Sequence, residues 1–253
     1  MRTARTTLGL VPTVTACLFD LDGVLTQTAK VHAAAWKQVF DEYLRVKATR
    51  TGQPFKPFDK LTDYDTYVDG KSREDGVRAF LGSRHFSLPE GSGRDSPDAE
   101  TVHGLALRKD RLFLDLIRKR GVDPYEGSVR YVQAVRDAGL RLAVVSSSKN
   151  CTEVLKAAGM HGIFDAQVDG NVAEARKLNG KPAPDTYLAA AEMLGNTAHQ
   201  CAVYEDALAG VEAGRAGGFG LVIGIDRVGQ STALREHGAD IVVTDLADLL
   251  KSR

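Results

Sequence analysis

Two aspartates one residue apart, Asp20 and Asp22 in "ACLFDLDGV", follow directly on an apolar run and are followed by a glycine. Three further groups of polar residues stand in the same relation to apolar runs. Ser146, Ser147 and Ser148, then Lys149 and Asn150, follow "LAVV"; Glu205 and Asp206 follow "CAVY"; Lys181 lies in "GKPAPD", just before a helix-like segment. In an open parallel sheet, ligands bind beyond the carboxyl ends of the strands, so these groups converge on one rim. Four carboxylates at one rim repel: two unit charges at ~4 Å interact by about 4 kcal/mol at an effective dielectric of 20. A hard divalent cation relieves that repulsion, and an all-oxygen set, Asp20, Asp22, Glu205 and Asp206, suits magnesium. Magnesium commonly shares its site with a phosphate. Ser146 can donate to phosphate oxygens, Lys181 can supply countercharge, and a carboxylate is available as nucleophile. The rim therefore reads as a site for moving a phosphoryl group.

The elements that must hold these residues are legible as short continuous apolar runs. They are "VTACLF" (14–19), "LRLAVVS" (140–146), "CAVY" (201–204), "GLVIGI" (220–225) and "DIVVT" (240–244). Continuous rather than alternating runs suit strands covered on both faces. Helix-like segments separate them: "GSVRYVQAVRDAG" (127–139), "NCTEVLKAAGM" (150–160) and "PDTYLAAAEMLGN" (184–196), the last opening on proline. Alternation of this kind predicts an α/β fold with a Rossmann-like parallel sheet. Between the first run and the rest, "KVHAAAWKQVFDEYLRV" and "TVHGLALRKDRLFLDLIRKR" are helical in pattern, and "SLPEGSGRDSPDAE" (87–100) is loop-like. The expected organisation is a core of residues 1–28 and 120–253 with an inserted helical cap, 29–119.

Composition excludes other classes. The chain of 253 residues is 43% apolar, enough for a sizeable core, and carries 33 basic and 33 acidic residues. A balance of this kind gives no reason to expect a nucleic-acid or membrane partner. No apolar run approaches a membrane span, and the start shows no sustained apolar stretch, so no secretory signal is expected. The three cysteines, Cys17, Cys151 and Cys201, form no C-x-x-C pair, so neither a disulfide framework nor a zinc site is indicated. A cytoplasmic location is the default.

"DLDGV", the serine after the second run, "KPAPD" and "EDALAGVEAG" together resemble the four motifs of the haloacid dehalogenase superfamily. "DLDGVLTQTAKVHAAAW", "GKSREDGV" and "SSSKN" resemble its β-phosphoglucomutase family. That resemblance implies a magnesium-dependent enzyme working through an aspartyl-phosphate and interconverting β-glucose 1-phosphate and glucose 6-phosphate. The family's β-glucose 1,6-bisphosphate would be its intermediate. The resemblance makes Asp20 the nucleophile and Asp22 the general acid–base. It makes Asp20, the Asp22 carbonyl, Glu205 and Asp206 the metal ligands, and Ser146 and Lys181 the phosphate contacts. It assigns Arg73 to the distal phosphate. Ser147, Ser148, Lys149, Asn150, Trp36 and Gly70 would line the sugar site. Thr28, His32 and Lys109 would couple cap closure to Asp22. The implied partner is a small phosphorylated sugar, and the implied state a monomer.

Without the resemblance these residues have plainer readings. His32 would be a polar residue on a helix, Lys109 part of a solvated basic face and Arg73 a helix-start ion-pair partner. Lys149 and Asn150 would cap the next helix, and Trp36 would pack. A phosphatase of the same superfamily, with water as acceptor, is the rival activity. The chain departs from the family at Gln27, where aspartate is usual. It is also longer between Trp36 and Gly70 and in "DGNVAEARKLNG", and residues 1–13 precede the first run.

Overall fold

The computed structural model describes residues 8–250, so the expectation about the first seven residues lies outside them. The chain forms two compact units: one from the residues through Gln27 together with those from Val122 onward, the other Thr28–Gly121.

The first unit is built on six strands: β1 Ala16–Phe19, β2 Arg141–Val145, β3 Ala166–Val168, β4 Cys201–Glu205, β5 Leu221–Ile225 and β6 Ile241–Val243. All pair in parallel in the order β3-β2-β1-β4-β5-β6. The predicted α/β class with a parallel sheet is therefore the fold observed. β1 lies in the middle, and the chain leaves it first toward β2 and β3, then returns to lay β4, β5 and β6 on its other side. That reversal is a topological switch point, where parallel sheets open a crevice. Register carries it to residue level. Phe19 pairs with Val144 on one side and Tyr204 on the other, so Asp20, Ser146 and Glu205 all end at the same rim.

Strands β1, β4 and β5 are buried along their whole length, as a sheet covered on both faces requires. The helices of this unit are α4 Glu126–Asp137, α5 Cys151–Ala157, α6 Gly170–Arg176, α7 Asp185–Met193, α8 Leu208–Ala216 and α9 Ser231–Glu236. The Tyr131 hydroxyl of α4 donates to the Leu8 carbonyl at 2.8 Å and accepts from the Tyr204 hydroxyl at 2.8 Å. All three cysteines are free and buried. Burial pushes the Cys17 and Cys201 thiols up to about 12 and the Cys151 thiol up as well, so they behave as small apolar groups.

The second unit holds α1 Ala29–Thr51, α2 Arg73–Ser83 and α3 Val102–Arg120. Their shared core contains Trp36, Val39, Phe40, Phe58, Phe80 and Leu105. Thr101 caps α3 by accepting from the Gly104 N–H at 2.9 Å, and Ser72 caps α2 by accepting from Asp75 N–H at 3.2 Å. The long segment between α1 and α2 is pinned where Phe58 enters the core. Asp41 accepts from the Phe58 N–H at 2.8 Å, and Lys37 donates to Asp41 at 2.7 Å and to the Phe58 carbonyl at 3.0 Å. Among the described residues no helix is long and apolar enough to cross a membrane.

The structure adds to the sequence reading in three places. β3, "AQV", is not among the apolar runs; three residues on a sheet edge, one of them Gln167, carry too short a pattern to register. "DGNVAEARKLNG" contains a helix, α6, capped by Asp169, which accepts from the Asn171 and Val172 N–H groups. Pro184 stands at the cap of α7 rather than inside it.

Candidate active site

Lys181 is the centre of the rim. Its ammonium donates to Asp20 Oδ1 at 2.6 Å and to Glu205 Oε1 at 2.6 Å, and its side chain has no exposed surface. Burial works against its charge. The two carboxylates outweigh burial and hold its pKa well above the ordinary lysine value, so it is a fixed cation. Burial pushes the Asp20 carboxyl up, with Lys181 opposing and Glu205 and Asp22 adding to the rise.

Glu205 is wholly buried and accepts from three donors: Lys181, the Tyr187 hydroxyl at 2.9 Å and the Ala207 N–H at 3.1 Å. A Cβ on Gly210 would fall 1.7 Å from Glu205 Oε1, so α8 reaches this carboxylate only because glycine stands there. Gly23 is held twice over. Its φ is +94°, and a Cβ on it would lie 1.7 Å from Asp206 Oδ2. The glycine after "DLD" thus lets Asp206 approach the turn that carries Asp22.

Carboxylate oxygens of Asp20, Glu205 and Asp206 lie within 4.8 Å of one another, and all three residues are buried. One ammonium among three such carboxylates leaves the cluster short of positive charge. Oxygen donors in a buried, net-negative set fit magnesium.

On the other side of the nucleophile, Ser146 Oγ contacts Asp22 Oδ2 at 3.4 Å, a long hydrogen bond, and accepts from the Ser148 N–H at 3.1 Å. Ser148 Oγ in turn accepts from the Asn150 N–H at 3.1 Å, so "SSSKN" folds as a chain of hydroxyl-to-backbone bonds opening α5. Asn150 is at the cap position of α5 without a side-chain capping bond. Ser147 is half-buried, and its carbonyl lies 2.9 Å from where a Cβ on Gly170 would sit. Lys149 is drawn to Glu174 at 2.8 Å, on the helix that sequence reading missed.

The remaining candidates lie in the second unit. Thr28 stands at the N-cap position of α1 and is 1% exposed; its carbonyl accepts from the His32 N–H at 2.9 Å. His32 Nδ1 is hydrogen-bonded to the Lys109 ammonium, and its ring stacks on Phe113 with centroids 4.0 Å apart. Lys109, 3% exposed, is no solvated helix residue; its ammonium sits 5.1 Å from the centroids of both Trp36 and Phe113. Arg73 opens α2 and pairs with Asp110, the residue after Lys109. Gly70 takes φ +70° just before α2. Trp36, expected at the sugar, is 3% exposed, stacked on Phe40 and close to Gly76.

Sequence reading missed Tyr187 and Asp110. Tyr187 carried little signal, since it follows Asp185 and Thr186 at the polar start of α7, and nothing in "RKDR" separates Asp110 from a surface charge.

Residues 14–218 match the family model described as haloacid dehalogenase-like hydrolase. The chain is 55% identical over 246 residues, 96% of its length and 94% of the other's, to a Beta-phosphoglucomutase of Mycobacterium tuberculosis. It is 32% identical to the Beta-phosphoglucomutase of Bacillus subtilis over 92% of this chain and 91% of that one. Among solved structures, the β-phosphoglucomutase of Clostridium difficile superposes with a TM-score of 0.73 at 25% identity, covering 93% of each chain. A buried lysine joining two carboxylates at a switch point, in a chain related to these along nearly its whole length, places the protein: it is an enzyme and belongs to the haloacid dehalogenase-like hydrolase family.

Proposed function

We propose that this enzyme interconverts β-glucose 1-phosphate and glucose 6-phosphate by phosphoryl transfer through an aspartyl-phosphate at Asp20. The observation that supports phosphoryl transfer is the buried Asp20–Lys181–Glu205 arrangement with Asp22 two residues beyond the nucleophile. The choice of sugar is supported by the relatives at 55% and 32% identity.

Lys181 fixes one oxygen of Asp20 and so aims the carboxylate. Asp20 attacks phosphorus, and the bond from phosphorus to the sugar oxygen breaks. Asp22 protonates that leaving oxygen, and in the reverse direction takes the proton from the incoming hydroxyl. Ser146 and Lys181 are the donors for the phosphoryl oxygens. Asp20, Glu205, Asp206 and the Asp22 carbonyl are the groups that would hold magnesium, which supplies countercharge to the transferring group. β-Glucose 1,6-bisphosphate is the intermediate between the two transfers. Arg73 offers a planar fork for the phosphate that is not reacting, and the partner is a small phosphorylated sugar.

The test is a product assay with β-glucose 1-phosphate, magnesium and a catalytic amount of the bisphosphate. Glucose 6-phosphate is the expected product, and Asp20→Asn abolishes both turnover and phosphoenzyme. Free phosphate as the main product makes the enzyme a sugar-phosphate phosphatase instead. Full activity in excess chelator, or in Asp20→Asn, overturns both readings.

A further inference from the structure

Asp22 stands in a tight turn between β1 and Gln27. Within it, the Gly23 N–H donates to the Thr26 carbonyl at 2.8 Å, and the Leu25 and Thr26 N–H groups donate to the Leu21 carbonyl at 3.0 Å. The carbonyls of Gly23 and Val24 are left to other partners. Both are taken by one side chain from far along the chain. Arg227 Nε donates to the Gly23 carbonyl at 2.8 Å, and Nη2 lies 3.4 Å from the Val24 carbonyl. The Ser128 hydroxyl donates to the same Val24 carbonyl at 2.7 Å.

Arg227 is itself immobilised. Its guanidinium lies 3.6 Å from the Tyr125 ring centroid, Nη1 donates to the Thr244 carbonyl at 2.9 Å, and Asp245 is 4.0 Å away. Its side chain is 14% exposed. The segment that carries it is built around Asp226, which accepts from the N–H groups of Val228, Gly229, Gln230 and Ser231 and from the Ser231 hydroxyl. From the same segment, Gln230 Nε2 donates to the Asp206 carbonyl at 3.0 Å. One loop, 226–230, therefore braces the backbone of both the Asp22 turn and Asp206. Arginine suits the task because its donors form a rigid fork that stacks on an aromatic ring while reaching several carbonyls, which an ammonium on a flexible stem cannot do.

We propose that Arg227 is a positioning residue for Asp22: by holding the Gly23 and Val24 carbonyls it keeps the general acid–base aligned with the oxygen leaving or attacking phosphorus. Arg227 bonds the backbone beyond Asp22 and has no bond to the Asp20, Asp22 or Lys181 side chains, so it acts through the turn. The proposal rests on the function proposed above, and it makes a prediction that depends on the leaving group. When a sugar hydroxyl leaves, Asp20 gains the phosphoryl group and Asp22 must give its proton to the sugar oxygen. When an acyl phosphate such as acetyl phosphate donates, Asp20 gains the same group and acetate departs with the bonding pair, needing no proton. Misplacing Asp22 therefore slows the first reaction and spares the second.

The experiment compares wild type, Arg227→Ala and Arg227→Lys. Asp20 phosphorylation by acetyl phosphate and sugar-phosphate turnover are both measured with magnesium, alongside thermal midpoints. A displacement on the scale of 1 Å costs about a hundredfold, so Arg227→Ala is expected to lose on the order of a hundredfold on the sugar phosphate. Its acetyl phosphate rate should stay within a few-fold of wild type. Arg227→Lys, which keeps the charge but not the fork, should show the same split to a smaller degree, and it carries the comparison if the alanine variant does not fold. Equal losses on both donors, or no loss on the sugar, overturn the Arg227 proposal while leaving the functional reading intact. A wild type that forms no phospho-Asp20 overturns the functional reading, and the proposal with it.

Discussion

Lys181 lies between two buried carboxylates, and its removal separates its two roles. Lys181→Met keeps most of the side-chain volume but leaves Asp20, Glu205 and Asp206 buried with no ammonium among them. Breaking a buried ion pair by removing one partner costs about 3–5 kcal/mol, so the metal-free variant should melt well below wild type. Added magnesium should recover part of that loss, because a divalent cation relieves the same repulsion; a thermal midpoint taken with and without the ion measures both. Turnover should still fall by about 10²–10³-fold, the usual cost of deleting one donor to a reacting oxygen. At this scale most of the rim was legible, since Asp20 with Asp22, Ser146, and Glu205 with Asp206 stand at the ends of apolar runs. What was not legible acts through backbone or from within another element. Tyr187 donates to Glu205 from inside α7, and Arg227 and Gln230 reach carbonyl groups. A carbonyl contact depends on where the chain turns, and residue type alone does not announce it.

Elements were read in proportion to the continuity of their apolar runs. β1, β2, β4 and β5 are continuous apolar runs, and the pattern found them within a residue or two. β6, only three residues long and nowhere fully buried, was found because "IVV" is an unbroken apolar run, whereas β3 and α6 escaped because Gln167 interrupts β3 and α6 has no buried position at all. The loop after β5 is another such element, and its order depends on one carboxylate. Burial works against the Asp226 charge, but hydrogen bonds from Ser231, Gln230, Gly229 and Val228 outweigh it and lower its pKa. A carboxyl whose folded pKa is depressed contributes stability that is present above its unfolded pKa of about 4 and lost as pH falls through the folded value. The stability difference between wild type and Asp226→Asn should therefore be largest near neutral pH. It should shrink as the pH is lowered below about 4, as read by denaturant midpoints across that range. A difference that stays constant down to pH 3 would show that the carboxylate charge is not what orders the loop.

Across the whole molecule the candidate residues fall in two units. Asp20, Asp22, Ser146 and Lys181 belong to the sheet unit; His32, Arg73 and Lys109 belong to the helical one. The second set has no obvious use in attacking phosphorus, yet two of its members are buried, the Lys109 ammonium bonded to His32 and set between aromatic rings. Burying an ammonium is costly, so a structural duty alone is a poor account of it. Phospho-Asp20 faces two acceptors, a sugar hydroxyl and water, and Asp22 can serve as base for either. A mutase must favour the sugar, and we expect His32 and Lys109 to set that preference. His32→Ala and Lys109→Met should slow transfer from phospho-Asp20 to β-glucose 1-phosphate by at least tenfold, while hydrolysis without sugar changes little. Single-turnover measurements on the phosphorylated enzyme give both rates, and their ratio is the observable. Parallel losses in the two rates would mean that the pair only supports the fold. A wild-type ratio near one would mean that water competes on equal terms, as in a phosphatase, and that the helical unit confers no preference for the sugar.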